Sequence, residues 1–533
     1  MLRLTLALLA TFPVYGQHVN LRAYPQKFRT FHQPGDPGIP AALTAANPAP
    51  PAGQRVEATA TDGAVWHRAV WKGVSKGLVR QNPRAPEPDR VQYMAGLRYL
   101  PDDEVLALAP DPSDGMWVRT RTGVSHIELR PMTLRQKSEL FEQRIRQRHD
   151  RYGFVSSSNL QRAGDLSSNR LDPSDNDGLW TAMYAAAECF RYAVTKSPEA
   201  LANARKSIDA ILFLEEVTGR PGYPARSYIR KGDWRGQGGV WHWTPDGAYE
   251  WKGDTSSDEI VGHYYIFGIA WDLLPDPALR KRIAAAVTRI TDHILEHRYN
   301  LTDVHGQPTY WGRWSPEYFE TPRGKPDAPL NALELLSMLK TAHHITGQQK
   351  YADAYRHVAI NMKYAEMTTR LLELREVINY SDEELAMLPF YLLFRYERDP
   401  AMLAIYRRAL DQWWENIRRE NNPLWTFIYM TGRPGAKVDL DGALRTLYRI
   451  PVDLINWSVA NSHRQDVEFE GAPDRFKRRQ AKTLLPPDER PVMKWNGNPF
   501  IVDGGGPGHG EDDGAFFLLP YWMGRHHKFL LGE

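Results

Sequence analysis

Glu259-Ile-Val-Gly-His-Tyr-Tyr-Ile-Phe-Gly-Ile-Ala270 is apolar on every side of a helix, whereas the stretch after it, Asp276 to His297, alternates charged and apolar residues at helical spacing. A helix apolar all round must be buried, and an amphipathic one covers it. The same alternation recurs along the chain. Helical patterns run over 178–195 and 198–217, 256–273 and 277–297, 328–345 and 348–366, 381–397 and 399–419, 422–431 and 437–457, and finally 512–530. A polar amphipathic helix opened by Thr133 and reaching Asp150 completes about six pairs. Ser197-Pro198, Asp276-Pro277, Gly347-Gln348 and Asp399-Pro400 place helix breakers at equivalent junctions. An inner ring of apolar helices inside an outer amphipathic ring is an (α/α)6 toroid, expected over 131–533. A superhelical solenoid is the structural alternative.

The chain has 533 residues, 42% hydrophobic and 25% charged, with a net charge of +3. That length supports a large core and two folding units. Near-balanced charge without a polybasic stripe argues against nucleic acid as a partner. Arg3 followed by the apolar run Leu4 to Phe12, with Val14-Tyr15-Gly16 before Gln17, reads as a signal peptide over 1–16. The run is too short to span a bilayer. A secreted or periplasmic location is the expectation. Cys189 is the single cysteine, so no intrachain disulfide can form, and its apolar helical context makes it a core residue.

Residues 17–62 are rich in Pro, Ala and Gly and read as a linker or an ordered wrap. Residues 63–130 read as strands. Ala64-Val-Trp66-His-Arg68 with Gly73-Val-Ser75 is echoed by Gly115-Met-Trp117-Val-Arg119 with Gly123-Val-Ser125, a period of about 50 residues. These segments resemble repeats of two-component regulator propellers. Two copies cannot close a propeller, so a small β domain resting on the toroid is expected.

Polar residues concentrate where the inner helices begin, at Asp175-Asn-Asp177, Asp254 to Glu259, Asp327 to Asn331, Asn379 to Glu384, Asn421-Asn422 and Glu511-Asp512-Asp513. Singly these are capping residues. If the inner helices run parallel, they meet at one end around a common cavity. Glu259 and His263 lie four apart on one helix face, and Gly262 beside them leaves room for a ligand. Arg226 and Arg230 can hold a carboxylate. Trp234 to Trp251 and Trp311-Gly-Arg313-Trp314 supply an aromatic rim. The Gly504–Gly510 loop lacks the residues of a phosphate loop. Asp172 to Gly178 looks like a calcium loop out of register, with Tyr184 where the closing acid belongs, so no cofactor is expected and calcium is a minor alternative.

At Asn176-Asp-Gly-Leu-Trp-Thr-Ala-Met-Tyr184, at Gly253 to Glu259 with Gly262-His263, and at Leu519-Pro-Tyr-Trp-Met-Gly-Arg525, the chain resembles the toroid polysaccharide lyases, in particular the group cleaving rhamnose-α-1,4-glucuronate (polysaccharide lyase family 27). The resemblance implies an (α/α)6 catalytic barrel, a deep pocket, a tyrosine base and an acidic oligo- or polysaccharide substrate. On that reading Tyr184 is the base, with Tyr264 second, and Arg226 and His263 neutralise the uronate carboxylate. Asp258 and Glu259 orient His263 or bind hydroxyls. Trp180, Tyr228, Trp311, Arg313, Asn331, Asp382, Glu511 and Asp512 complete the substrate contacts. A hydrolase on the same toroid would need two opposed carboxylates, drawn from Asp177, Asp258, Asp382 and Asp512. A non-catalytic glycan-binding or sensory protein is the third reading.

Overall fold

The computed structural model describes residues 17–44, 56–60, 69–111, 115–375, 377–492, 494 and 496–532. The expected signal peptide and the Ala64–Arg68 half of the first echo lie outside them. Among the described residues, twelve longer helices follow the last strand of the β domain. They are α1 (Leu134–Arg148), α2 (Asp177–Thr195), α3 (Pro198–Glu216), α4 (Ser257–Leu273), α5 (Pro277–Glu296) and α6 (Ala328–Thr346). Then come α7 (Gln349–Arg356), α8 (Met387–Tyr396), α9 (Pro400–Ile417), α10 (Pro423–Gly432), α11 (Leu440–Arg449) and α12 (Ala515–His526).

The even-numbered helices close a ring: α2 packs on α4, α4 on α6, α6 on α8, α8 on α10, α10 on α12, and α12 returns to α2. The odd-numbered helices pack outside them. The protein is therefore an (α/α)6 toroid with a small N-terminal β domain. Closure excludes the solenoid. The burial follows the sequence pattern. In α4 every residue from Glu259 to Ala270 is buried, whereas α5 buries Leu279, Ile283, Ala286, Val287, Ile290 and Ile294 along one stripe.

Helix starts are set by local chemistry. Ser197, Asp276, Asp399 and Asn422 each accept a backbone N–H from the first turn, and each is followed by proline, which tolerates that position. Thr133 and Gln136 form a reciprocal capping box. Gly347 ends α6 in a left-handed conformation, φ 67°. The junctions at Ser197, Asp276, Gly347 and Asp399 are short and lie between the C-terminal ends of inner helices and the starts of outer ones. Of the opposite connections, 418–422 is short, and 149–176, 217–256, 297–327, 357–386 and 450–514 are long.

Those long connections carry strands that the helical pattern past Thr133 does not announce. Ser227–Arg230, Trp241–Trp243 and Tyr249–Lys252 form one sheet. Ile455–Ala460 pairs with Asp503–Glu511. The helix expected over 437–457 therefore stops at Arg449, and the Gly504–Gly510 stretch is a strand. Its glycines have no side chains to show an alternation. Gly508 is at φ 91°, and a Cβ there would sit 2.3 Å from the Trp457 ring.

Two four-stranded antiparallel sheets make the β domain. One is Glu57–Ala60, Ala69–Gly73, Leu78–Gln81 and Val91–Met94 in order. The other is Val105–Pro110, Met116–Thr120 and Val124–Met132, completed by Tyr24–His32 from the N-terminal segment. Residues 17–62 are thus not a linker throughout: Tyr24 to His32 pair in register with Met132 to Val124. Pro25 and inward-facing Gln26 hide this strand from a hydrophobic-alternation reading. The sheets share a core of Trp71, Leu78, Met94, Val105, Met116, Val118 and Ile127.

The domain is held on the toroid by buried charge. Arg449 at the end of α11 donates to Asp488 (2.8 Å), Asp89 (3.1 Å) and Glu489 (3.0 Å). Lys27 also binds Asp488, and Tyr24 donates to Asp89. Lys137 on α1, fully buried, donates to the Gln26 side chain and the Leu447, Tyr448 and Ile450 carbonyls. Burial alone would raise the Asp488 carboxyl, but Arg449 and Lys27 hold it well below the usual carboxylate range.

Removing one partner from such a network costs far more than deleting the whole, because it strands buried charge. Arg449→Met is expected to lose about 3–5 kcal/mol, read as an earlier urea midpoint. Because Asp488 titrates lower folded than unfolded, its stabilisation is complete above about pH 4 and is lost as the pH falls further. An unchanged urea midpoint for Arg449→Met would remove the clasp.

Candidate functional site

The N-terminal ends of the inner helices point to the face with the long connections, so their polar first turns surround a central cavity. It is lined by Asn176 and Trp180 of the α2 start, Asp258 of α4, Ser381 and Glu384 before α8, and Trp425 of α10. Its enclosed volume is about 70 Å³. Four of the six inner-helix starts expected to converge line it; those of α6 and α12 do not.

Carboxylates crowd this floor. Burial, and then the Asp382 charge, push the Asp258 carboxyl up. Burial raises Asp327, which accepts from the Tyr318 hydroxyl at 2.7 Å and also senses Asp382. Burial and Glu420 raise Glu384. Asp382 is ion-paired to Arg375 at 2.8 Å. Several carboxyl groups brought together from different helices cannot all stay ionised cheaply, which favours their protonated forms.

Arg226 stands beside them, 9% exposed. It donates to the Asp254 carbonyl (2.6 Å), the Asp175 carbonyl (2.9 Å) and the Asn176 side-chain oxygen (3.4 Å). All three acceptors are neutral. Ser256 also donates to the Asn176 oxygen, at 2.9 Å, so the Asn176 amide NH2 is its remaining polar group.

Other expected contacts fall elsewhere. Tyr184 is fully buried between helices and donates to Glu142 at 2.7 Å. Tyr264 is buried against α5, 2.6 Å from the Thr291 hydroxyl. Burial raises both phenols well above their ordinary value, and neither lines the cavity. His263 is fully buried, and burial lowers it to about 4, so it is neutral and cannot balance a carboxylate. Its Nδ1 bonds the Glu259 carbonyl at 2.6 Å. Glu259 is buried, raised by burial and accepts the Gly178 N–H at 3.1 Å. A Cβ on Gly262 would lie 2.6 Å from the Leu179 Cα. Gly262 therefore lets α2 and α4 approach and makes no room for a ligand.

Tyr228 packs in an aromatic cluster with Tyr152, Phe154 and Phe213, away from the cavity. Asn331 is buried and donates to the Arg313 carbonyl at 2.7 Å, fastening that connection. Trp311 is exposed beside Tyr310, with Arg323 stacked over both rings, and Arg313 lies over Tyr318. Trp234 and Trp243 are also exposed, which gives the long connections aromatic surfaces. Glu511 belongs to a different cleft: Arg148 holds it through two 2.6 Å bonds, and it is lowered to about 2 because Arg148 and His149 outweigh burial. Asp512 is raised to about 6 by burial, partly offset by Lys494. Lys494 sits 4.8 Å from the Trp180 ring centre and 3.0 Å from Asp513.

The sequence reading placed Asn176, Ser381 and Glu384 at inner-helix starts without singling them out as contacts, and it did not point to Trp425 or Lys494. Asn176, Ser381 and Glu384 carry a start-of-helix signal, but it is the same signal that capping gives everywhere. Lys494 lies in an aperiodic connection. The calcium alternative finds its carboxylates taken: Asp172 by Arg170, Asp175 by Lys252 and Asp177 by Arg151. Among the described residues, no group of three or more His, Cys, Asp or Glu side chains is placed to hold a metal. No described helix is long and apolar enough to cross a membrane.

No protein-family model matches the chain, and no curated protein matches it. Among solved structures, a mutant thermostable endoglucanase from Alicyclobacillus acidocaldarius shares 12% identity over 87% of this chain and 97% of its own, with a TM-score of 0.40. A metagenome-derived glycoside hydrolase family 9 endoglucanase shares 12% identity over 97% and 98%, TM-score 0.34. A family 76 glycoside hydrolase from a bovine Bacteroides thetaiotaomicron strain shares 10% over 68% and 90%, TM-score 0.24. These likenesses are distant, and the fold assignment rests on the closed helix ring itself.

Tyr184→Phe removes one buried hydrogen bond and is expected to lower stability by about 1–2 kcal/mol in urea unfolding. Because the hydroxyl does not reach the cavity, ligand binding at the cavity should not change. A loss of binding without a loss of stability would return Tyr184 to the site.

Proposed function

We propose that the protein is a carbohydrate-active enzyme that takes an acidic sugar into the central cavity and cleaves its linkage by β-elimination. The observation that carries this reading is Arg226: a nearly buried guanidinium whose hydrogen bonds all go to neutral acceptors, beside a cavity lined by Asn176 and Asp258. Among the described residues Arg226 makes no close ion pair, although the Asp258, Asp175 and Glu259 carboxyls feel its charge, so it has donors to offer an anionic ligand, and a carboxylate matches its geometry.

Elimination from a uronate requires removal of the weakly acidic C5 proton. Neutralising the adjacent carboxylate stabilises the enolate-like state, a role that falls to Arg226 and the Asn176 amide. Asp258, with its raised carboxyl, protonates the departing O4. Asp382, on the segment that leads into α8 and paired to Arg375, accepts the C5 proton. The exposed Trp and Tyr rings on the long connections offer faces for sugar stacking.

Hydrolysis is the second reading, favoured by the electrostatic coupling of Asp258 to Asp382, since an acid and a base from facing elements are what a glycosidase needs. One assay separates the two. Elimination on a panel of uronate glycans produces an unsaturated product absorbing near ~235 nm, because the sugar leaves as an enolate-derived alkene. Hydrolysis yields reducing ends without that absorbance.

Asp258→Asn is expected to lower kcat by about 10²–10⁴-fold. Arg226→Gln is expected to lower kcat/KM on a uronate substrate by about 30-fold or more, the equivalent of ~2 kcal/mol. Because Asp258 acts in its protonated form, activity should decline as the pH rises through its raised pKa, and Asp258→Asn should not keep that alkaline limb. Full activity of Arg226→Gln on every uronate substrate would overturn the acidic-substrate assignment.

A further inference from the structure

A cleft of about 240 Å³ lies where the β domain rests on the toroid, between the Tyr24–His32 strand, α1 and the connection after α11. Its walls carry Lys27, Arg29, Arg98, Arg144, Arg148 and Arg449. Three carboxylates line it, and each is already taken. Asp488 is held by Lys27 and Arg449, Asp453 by Arg29 at 3.1 Å, and Glu511 by Arg148.

Two guanidiniums are left over. Arg98 is 2% exposed and donates through Nη1 to the Asp488 and Arg490 carbonyls, at 3.2 and 2.8 Å. Its Nε and Nη2 are buried without a hydrogen-bond partner. Arg144 donates to the Val452 carbonyl. Burial and the like charge of Arg148 hold the Arg144 guanidinium below its ordinary value. Among the described residues neither has a carboxylate partner. A buried cation hydrogen-bonded only to carbonyls, as Arg98 is, is a costly arrangement unless an anion completes it, and Arg144, half-buried beside Arg148 with Glu511 and Asp453 in its field, adds a second donor on the same wall. The stacked rings of Tyr24 and Tyr448, 5.0 Å apart, line the same cleft beside Lys27 and Arg29.

A further hollow shares the lining residue Glu384 with the central cavity and Pro451 with the cleft. A hollow of about 300 Å³ shares Arg98 and Asp488 with the cleft.

We propose that this cleft is a distal subsite for an anionic sugar residue, bearing a carboxylate or a sulfate ester, of the polymer processed at the barrel centre. Arg98 and Arg144 bind its charged group, so the β domain is part of the substrate-binding surface. The proposal rests on the acidic-glycan reading of the central cavity.

The test is calorimetric titration of the full chain carrying Asp258→Asn, with tetragalacturonate, a chondroitin sulfate tetrasaccharide, cellotetraose and inorganic sulfate as probes. Binding of one of the two anionic tetrasaccharides and not of cellotetraose is expected. The tighter of the two identifies the group as carboxylate or sulfate ester. Adding Arg144→Gln, on the cleft wall, is expected to raise that Kd about tenfold or more and to flatten its salt dependence. Arg98→Gln should do the same if its circular dichroism and Tm show it folded.

Unaltered tetrasaccharide affinity in folded Arg144→Gln overturns the subsite, as does inorganic sulfate binding as tightly as either oligosaccharide. If no uronate glycan is turned over but the Arg144-dependent affinity persists, the cleft stands and the catalytic reading falls.

Discussion

Six apolar helices that close into a ring leave only their ends in contact with water. Each first turn presents backbone N–H groups without helical partners, and the residues that satisfy them are short and polar. Ring closure gathers those turns at one face, and everything functional in the toroid follows from it. Asn176, Asp258, Glu384 and Trp425 are far apart in sequence, yet they line one cavity because α2, α4, α8 and α10 begin there. The same closure explains Gly178 and Gly262. A Cβ on Gly178 would sit 2.1 Å from the Glu259 carboxyl, and one on Gly262 would strike α2. The glycines permit the close α2–α4 contact that brings their starts together.

Buried charge separates two kinds of site. Around Arg449 each charge has an opposite neighbour, and with Lys137, which is satisfied by carbonyls and an amide, the arrangement joins one domain to the other. Where a guanidinium is surrounded by carbonyls and amides, the balance is incomplete. Arg226 at the barrel centre and Arg98 in the interdomain cleft are both of this second kind. Their geometry is rigid because their acceptors are backbone or well-packed side chains. Such preorganisation lets a ligand carboxylate bind without reordering the site.

The sequence showed the fold more clearly than it showed the site. Apolar helices such as Glu259–Ala270, next to amphipathic partners such as Asp276–His297, predict the two-layer ring, and six inner-helix starts predict the common face. The strands in the long connections escaped because glycines and polar residues carry no two-residue alternation. The Tyr24–His32 strand escaped because its inward residues include Gln26, buried only through its bonds to Lys137 and Tyr448. Among site residues, Trp180, Asp258, Arg226 and Asp382 lie at or beside the cavity, whereas Tyr184, Tyr264 and His263 do not. On an apolar helix, spacing gives the angular position of a side chain. It does not give which neighbour that direction meets, and for Tyr184 the neighbour is Glu142 on α1.

By itself, the sequence determined the alternation of buried and covering helices, the proline-marked junctions and the concentration of acids and amides at inner-helix starts. These are local properties, set by periodicity and capping within a few residues. Only the tertiary structure decided which carboxyls share a cavity, which arginines lack an ionic partner, and how the N-terminal strand ties the β domain to the toroid. Each depends on contacts between residues hundreds of positions apart, such as Lys27 with Asp488 or Arg98 with Arg490. Burial, which sets the protonation of Asp258 and His263, is itself a sum over those distant neighbours.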